Sequence, residues 1–410
     1  MADLQALRNA IEEPKAGYWG ASEPSSLATI AARVVRNGDA AGSRSIATNT
    51  LPLRWFNPKE VAAAALQLND TVLVSSGEVG HASRVVGLDA EHPSIASNFV
   101  RRVRATSGHD PAWLVHLLQS PRSKRTAERF SGGTAIPNLG GDFFSRYEVW
   151  VPPLEEQVRI GEVLDTVDEA IETTERVIAK LASARVGLLR EQLSPGLSES
   201  PPPGWEIVRV GRLLGRRSPA MRSGPFGSSL LASELVSEGV PLLGIDNVQR
   251  EHFVADYRRF VTPDKAHELR RYRVHPRDIM ITIMGTVGRC CVVPDSVGEA
   301  LSSKHVWTVT LDPECYLPEL ACLQMNYAPW VLAHFCRDEQ GGIMSAIRSE
   351  TIRSLQLPTP PMAEQRRIWA VLHESTCRIE AEAASLSKLR ELRSGLAADL
   401  LSGCIRTVAE

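Results

Sequence analysis

The amino-acid sequence predicts an α+β protein built twice: two mixed α/β globular regions joined by two long helices that form an antiparallel coiled coil, with an internal pseudo-twofold repeat. Three observations predict this class. A long segment recurs at half-chain spacing, each copy carries a helical seam, and the stretches before the copies break into short β-branched or apolar runs bounded by Gly, Pro or Asp.

The repeat sets the domain plan. At an offset of 208, residues 152–194 align without gaps to residues 360–402 with 17 identities in 43 positions, Pro152/Pro360, Glu156/Glu364, Gln157/Gln365, Ile160/Ile368 and Leu164/Leu372 among them. The same offset aligns DTVLVSSGEVGHASRVV from Asp70 with DIMITIMGTVGRCCVVP from Asp278. A third echo, Gly132-Gly133 against Gly341-Gly342, is displaced by one residue. The chain divides into a globular region at 1–151, a helix at 152–195, a linker at 196–204, a second globular region at 205–357, and a second helix with the C-terminal tail at 358–410.

In the first globular region, residues 73–76 and 83–86 read as strands and residues 111–118 as a helix. The SGEVG turn between the strands uses Gly77 and Gly80, where a tight connection needs a missing Cβ, and Asp70 suits a turn cap at the strand start. The first long helix opens after Pro152-Pro153 with Glu155 and Glu156 in its first turn and closes at Ser194-Pro195-Gly196. Its seam runs Ile160, Leu164, Val167, Ile171, Thr174, Ile178, Leu181, Arg185, Leu188, at alternating spacings of three and four. About 34 helical residues at ~1.5 Å each give a length on the order of 50 Å.

The linker lies within SPGLSESPPPGW, residues 194–205, whose Pro, Gly and Ser resist regular structure. The second region opens with GWEIVRVGRLL, for which the first has no obvious counterpart. Residues 279–283, 291–293 and 306–311 read as strands and 317–336 as helical, with Gly285, Gly288 and Asp278 in the equivalent turn. The second seam, Ile368, Leu372, Ser375, Ile379, Glu382, Leu386, Leu389, Arg393, Leu396, is interrupted by polar residues. Two seams in one chain bury each other most simply by pairing, and the alternative is that each helix packs only on its own globular region.

Composition narrows the function. Lys plus Arg is 46 against Asp plus Glu of 48, a formal net charge of -2, so no whole-molecule basic field exists, whereas a local basic patch remains open. The seven cysteines form no CxxC pair, and the first residues carry no apolar signal core, which points to reduced thiols in the cytoplasm and to no membrane partner. Catalytic signatures are missing: there is no GxSxG, HExxH, phosphate loop or Asn-Pro-Pro-Tyr type motif, so no active-site or metal-binding residue is assigned. Charge is segregated. Residues 155–175 hold eight acids against Arg159, while Arg101, Arg102, Arg104, Arg122, Lys124, Arg125 and Arg129 face only Asp110 and Glu128.

The doubled Pro-Pro-x-x-Glu-Gln-x-x-Ile helix start, each copy following a region with a GxVG turn, resembles the specificity (S) subunit of Type I restriction-modification systems. The resemblance covers nearly the whole chain. It implies two target recognition domains, each reading half of a split double-stranded DNA target, with the helices as a ruler. It further implies two methyltransferase (M) subunits docked on the helical parts, restriction (R) subunits joining them, and S-adenosylmethionine held by the methyltransferase partner, with no cofactor and no catalysis in this chain.

Charge and placement nominate DNA contacts: Arg84, Arg101, Arg102, Arg104, Lys124 and Arg125 in the first domain, and Arg222, Arg258, Arg259, Arg289, Lys304 and Arg348 in the second. Glu156, Gln157, Glu364 and Gln365 are nominated for partner docking, the alternative being that they cap the helix starts. Two other readings are a coiled-coil protein-interaction adaptor without DNA specificity, which leaves the Arg clusters unexplained, and an enzyme of unrecognised type.

Overall fold

A computed structural model of the chain describes residues 4–132, 137–339 and 347–407. Gly133, Gly341 and Gly342 of the third echo lie outside the described residues. Two compact units emerge, Met1–Arg176 with Ala384–Glu410, and Val177–Ala383.

The first unit opens with β1 (Leu4–Ala6), β2 (Lys15–Ala16), β3 (Ile30–Val35), β4 (Ser45–Ala47) and β5 (Leu53–Phe56). It continues with β6 (Thr71–Val74), β7 (Ala82–Gly87), β8 (Ser94–Ala96) and β9 (Val100–Val103). Five strands form a sheet in the order β2-β9-β6-β7-β4, and three form another, β5-β3-β8, in which β3 and β8 run parallel with Val34 beside Ile95. Helices α1 (Pro111–Gln119) and α2 (Pro121–Arg129) follow, and β10 (Glu148–Trp150) pairs antiparallel with β1 before α3 (Leu154–Leu193) begins. Strand β6 is buried along its whole length because sheet and helices cover both faces, which is why it reads as TVLV without alternation.

The second unit repeats this plan. It has β11 (Glu206–Arg209), β12 (Met221–Ser223), β13 (Val240–Leu243), β14 (Phe260–Val261), β15 (Arg273–Val274), β16 (Ile279–Thr282), β17 (Cys290–Val292), β18 (Ala300–Ser302) and β19 (Val306–Val309). Sheets β12-β19-β16-β17 and β14-β13-β18-β15 repeat those of the first unit without a counterpart of β4 and with β15 as an added edge strand, and they keep the parallel pairing, here of β13 with β18 at Leu242 and Leu301. Helices α4 (Pro318–Tyr327) and α5 (Pro329–Glu339), then β20 (Gln356–Thr359) on β11, lead into α6 (Met362–Ser402). The single helical run expected over 317–336 is broken at Pro329, which cannot continue the backbone ladder of α4.

The first unit does contain a counterpart of GWEIVRVGRLL, although the two segments share no aligned motif. Strand β1 pairs with β10 as β11 pairs with β20, and each is followed by a short 3-10 helix, Leu7–Ala10 or Val210–Arg212. Pairing and burial are kept while only the apolar pattern is shared, so identity is lost. The GxVG turns are structural, in line with the sequence reading: Gly77, Gly80, Gly285 and Gly288 have φ of 84, 88, 73 and 81°. Asp70 and Asp278 cap the turns that lead into β6 and β16 by accepting from Gln67 N and His275 N, each at 2.7 Å.

In the first unit the long helices run antiparallel, since Asp168 meets Arg393 at 3.1 Å and Glu175 meets Arg390 at 2.7 Å. In the second, Leu189 and Leu193 of α3 share a core with Ile368 and Leu372 of α6. Helix pairing and packing on the globular regions are both realised in part. Ile160, Leu164, Ala397 and Leu400 pack into the globular core of the first unit, whereas the mid-seam positions Thr174, Ile178, Ser375, Ile379 and Glu382 are half-buried.

Candidate nucleic-acid interface

The repeated Glu-Gln pair shows how each helix start is fastened. Gln157 is buried, accepts from Asp110 N at 2.9 Å and donates to Pro152 O at 2.8 Å. Gln365 is its twin: it accepts from Leu317 N at 2.9 Å and donates to Pro360 O at 2.9 Å and Cys315 O at 3.0 Å. Asp110 and Leu317 are the residues that precede α1 and α4, so each glutamine ties a long helix to the start of a domain helix. Glu156 is buried and accepts from Arg406 at 2.8 Å and Thr407 N at 3.1 Å, and Glu364 accepts from Trp205 Nε1 at 2.8 Å. Hydrogen bonding by Arg406, added to by Thr407 N, holds the Glu156 carboxyl below its ordinary range against the effect of burial. Glu156, Gln157, Glu364 and Gln365, nominated for partner docking, thus bond within the chain and fasten each long helix to segments far from it in sequence, a role different from simple capping of the helix starts.

The nominated cations separate by what they already bind. Arg104 makes a two-pronged pair with buried Asp70 at 2.6 and 2.7 Å. Arg222 is buried, pairs with Asp278 and donates to Arg273 O at 2.7 Å and Thr310 at 3.0 Å. Arg84 pairs with Asp165 at 2.8 Å, and Arg259 with Asp246. All four of these nominated cations are already paired with a carboxylate of the chain, Arg104 and Arg222 with buried ones and Arg84 and Arg259 with partly exposed ones, so part of the field each offers a phosphate is neutralised. Arg101 and Arg102 each donate to a backbone carbonyl, Leu139 O at 3.3 Å and Ala65 O at 3.0 Å, and Lys124 meets His81 at 2.9 Å.

Solvent remains open to Arg125, Arg258, Lys304 and Arg348, which are exposed, and in part to Arg289, which reaches Gln249 at 2.9 Å. Arg258 is paired with the exposed Asp256. Around Lys304 the field is positive: burial, then the Lys304 and Arg259 cations, push the His305 imidazole below its ordinary range. The acidic stretch of α3 is less a bare anionic surface than its sequence suggests. Asp165 binds Arg84 and His116, and Asp168 binds Arg44 and Arg393, all within the first unit.

Among the described residues no three His, Cys, Asp or Glu side chains gather as a metal site, and no helix is long and apolar enough to cross a membrane.

Known proteins share this architecture. Residues 57–183, from the end of β5 through much of α3, match the family model of the Type I restriction modification DNA specificity domain. The type I restriction enzyme MjaVIII specificity subunit of Methanocaldococcus jannaschii is 21% identical over 326 residues, spanning 76% of this chain and 74% of that protein. Residues 57–183 thus carry the type I specificity domain, and the chain as a whole is similar to type I specificity subunits.

A second specificity subunit of that organism, the putative MjaX subunit, is 21% identical over 320 residues, covering 72% of this chain and 68% of its own length. The fold agrees over both units. The S subunit crystal structure from M. genitalium superposes with a TM-score of 0.57 at 15% identity, covering 98% of this chain and 96% of that one. A chain from a study of complex assembly and conformational transition of the type I R-M system gives 0.61 at 16% identity, with 98% of each chain covered. The chain thus shares the fold of these proteins while sharing few side chains with them.

Proposed function

We propose that this specificity subunit reads a bipartite DNA target, one half through each unit, and positions methyltransferase subunits that carry S-adenosylmethionine and perform the methyl transfer. The observation that carries the proposal is the duplication itself: two units repeat the same pair of sheets, the same helix pair and the same glutamine clamp, which suits two similar tasks on two half-sites. In this reading the recognition domains are residues 1–151 and 205–357, the helices at 152–195 and 358–410 set the spacing of the half-sites, and 196–204 is a linker. Two methyltransferase subunits, one per repeat, and optionally restriction subunits complete a cytoplasmic complex, and bond-making chemistry belongs to those partners.

The deciding experiment is a genome-wide map of methylated adenine in cells expressing this chain with its methyltransferase, compared with the methyltransferase alone. A new split motif that depends on this chain is expected. No new motif from a co-purifying pair would overturn the reading.

A further inference from the structure

One pair of loops takes no part in the glutamine clamps or the internal ion pairs. After β2, the chain reads Gly17-Tyr18-Trp19-Gly20, and after β12 it reads Gly224-Pro225-Phe226-Gly227. The two quartets occupy equivalent places in the two units. Gly17 N donates to Val100 O at 3.3 Å and Tyr18 N to Ala96 O at 3.0 Å, while Gly224 N donates to Ser303 O at 3.1 Å. A Cβ at Gly17 would lie 1.7 Å from the oxygen of Ala96, the last residue of β8, and one at Gly224 would lie 2.0 Å from the oxygen of Ser302, the last residue of β18. Only glycine lets the loop lie this close to the parallel strand, so both loops are pinned by packing rather than hanging free. Gly20 and Gly227 then turn the chain with φ of 72 and 57°.

Each pinned loop displays an aromatic ring to solvent. Trp19 is 44% and Phe226 58% exposed. Trp19 sits edge-to-face on Phe99, itself exposed, with centroids 6.2 Å apart. With Tyr18, these are all the exposed aromatic residues among the described residues, since every other Trp, Phe and Tyr there is buried or half-buried. Large rings left in water at two matched positions forgo hydrophobic stabilisation that a partner laid against them would supply.

The neighbours are cationic. The Arg54 guanidinium lies 5.1 Å over the Trp19 ring and donates to Gly20 O at 3.1 Å, which locks ring and loop together. In the second unit the turn between β18 and β19, joined to the start of the loop where the Lys304 carbonyl accepts from Ser223 Oγ at 3.3 Å, carries the exposed Lys304 side chain. A rigid ring flanked by a cation fits a polyanion with apolar base and sugar faces better than it fits an apolar protein groove.

Resting on the DNA-recognition reading, we propose that Trp19 and Phe226 are paired aromatic wedges, each laid against a base step of its own half-target, with Arg54 and Lys304 on the flanking phosphates. The loops are a shared device rather than a sequence reader: the same position in each unit grips and deforms the duplex, and variable residues around it discriminate bases.

The test uses the full chain co-expressed with its methyltransferase, and duplexes carrying the motif found by methylation mapping. Affinity is measured for Trp19→Ala, Phe226→Ala, Trp19→Phe and Phe226→Trp, with 2-aminopurine placed step by step through both half-targets to report unstacking. Each alanine variant is expected to bind ~10-fold or more weakly, in line with base–aromatic stacking elsewhere, and to abolish the unstacking signal in one half only. The aromatic exchanges retain both. Because the rings are exposed, thermal melting should be unchanged. Alanine variants that bind within about twofold of the parent and keep its unstacking pattern would overturn the wedge while leaving DNA recognition standing. Loss of methyltransferase co-purification at unchanged DNA affinity would reassign the loops to protein docking. Failure of the parent complex to bind any duplex would remove the DNA reading and the wedge together.

Discussion

Gln157 and Gln365 each close a backbone N–H and a backbone C=O that the chain would otherwise bury unpaired at a helix junction. Truncation to alanine strands both groups, so Gln157→Ala and Gln365→Ala should each cost about 2–3 kcal/mol, measured by urea unfolding, without a specific loss of partner binding. Glu156 adds a pH dependence. Its carboxyl is held below the ordinary 4.5 by hydrogen bonding to Arg406, so it stabilises the fold above that value, and the contribution is lost as pH falls through the depressed folded value. Glu156→Gln should therefore lower stability at neutral pH and flatten the loss on acidification below about pH 4.5, read from unfolding midpoints across pH. The Pro-Pro-x-x-Glu-Gln signature was legible as a helix start, but which atoms its side chains would satisfy was not, because the partners Asp110 and Leu317 lie 47 and 48 residues away.

At the scale of elements, the long helices and the strands flanking the GxVG turns follow from local pattern. Helix α3 begins directly after two prolines and carries two acids in its first turn, the start signals expected of it. What local pattern left undecided was how deep each seam position lies. Leu372 is fully buried in the core of the second unit, whereas Ile379, two turns on in the same seam, is half-buried. Leu372→Ala should cost about 2–5 kcal/mol and Ile379→Ala less than about 1.5 kcal/mol, by chemical denaturation. Equal penalties would show a seam buried uniformly along its length. The doubled glycine–aromatic quartets were also visible in the sequence, yet they are displaced by one residue from the main repeat offset, and short similarity outside a gapless alignment carries little signal.

For the whole molecule, duplex binding should depend on the cations that face water. Replacing Arg125, Lys304 and Arg348 together by alanine should weaken binding and reduce the slope of log K against log salt by up to about 0.9 for each phosphate no longer neutralised. Arg222→Ala should leave that slope alone and destabilise the fold by about 3–5 kcal/mol, since it leaves Asp278 buried without its counter-charge. An unchanged slope in the triple variant would reject these phosphate partners. By itself the sequence determined the duplication, the helices, the GxVG turns and the likeness to type I specificity subunits, because these rest on local periodicity, on glycine's freedom at positive φ and on repeated identity. Only the tertiary structure decided which arginines are spent on internal carboxylates, that the Glu-Gln pairs are clamps, that β1 takes the place of β11 in the first unit, and that two glycine loops lift aromatic rings into solvent. Those outcomes depend on pairings between residues far apart in the chain, which composition and spacing do not encode.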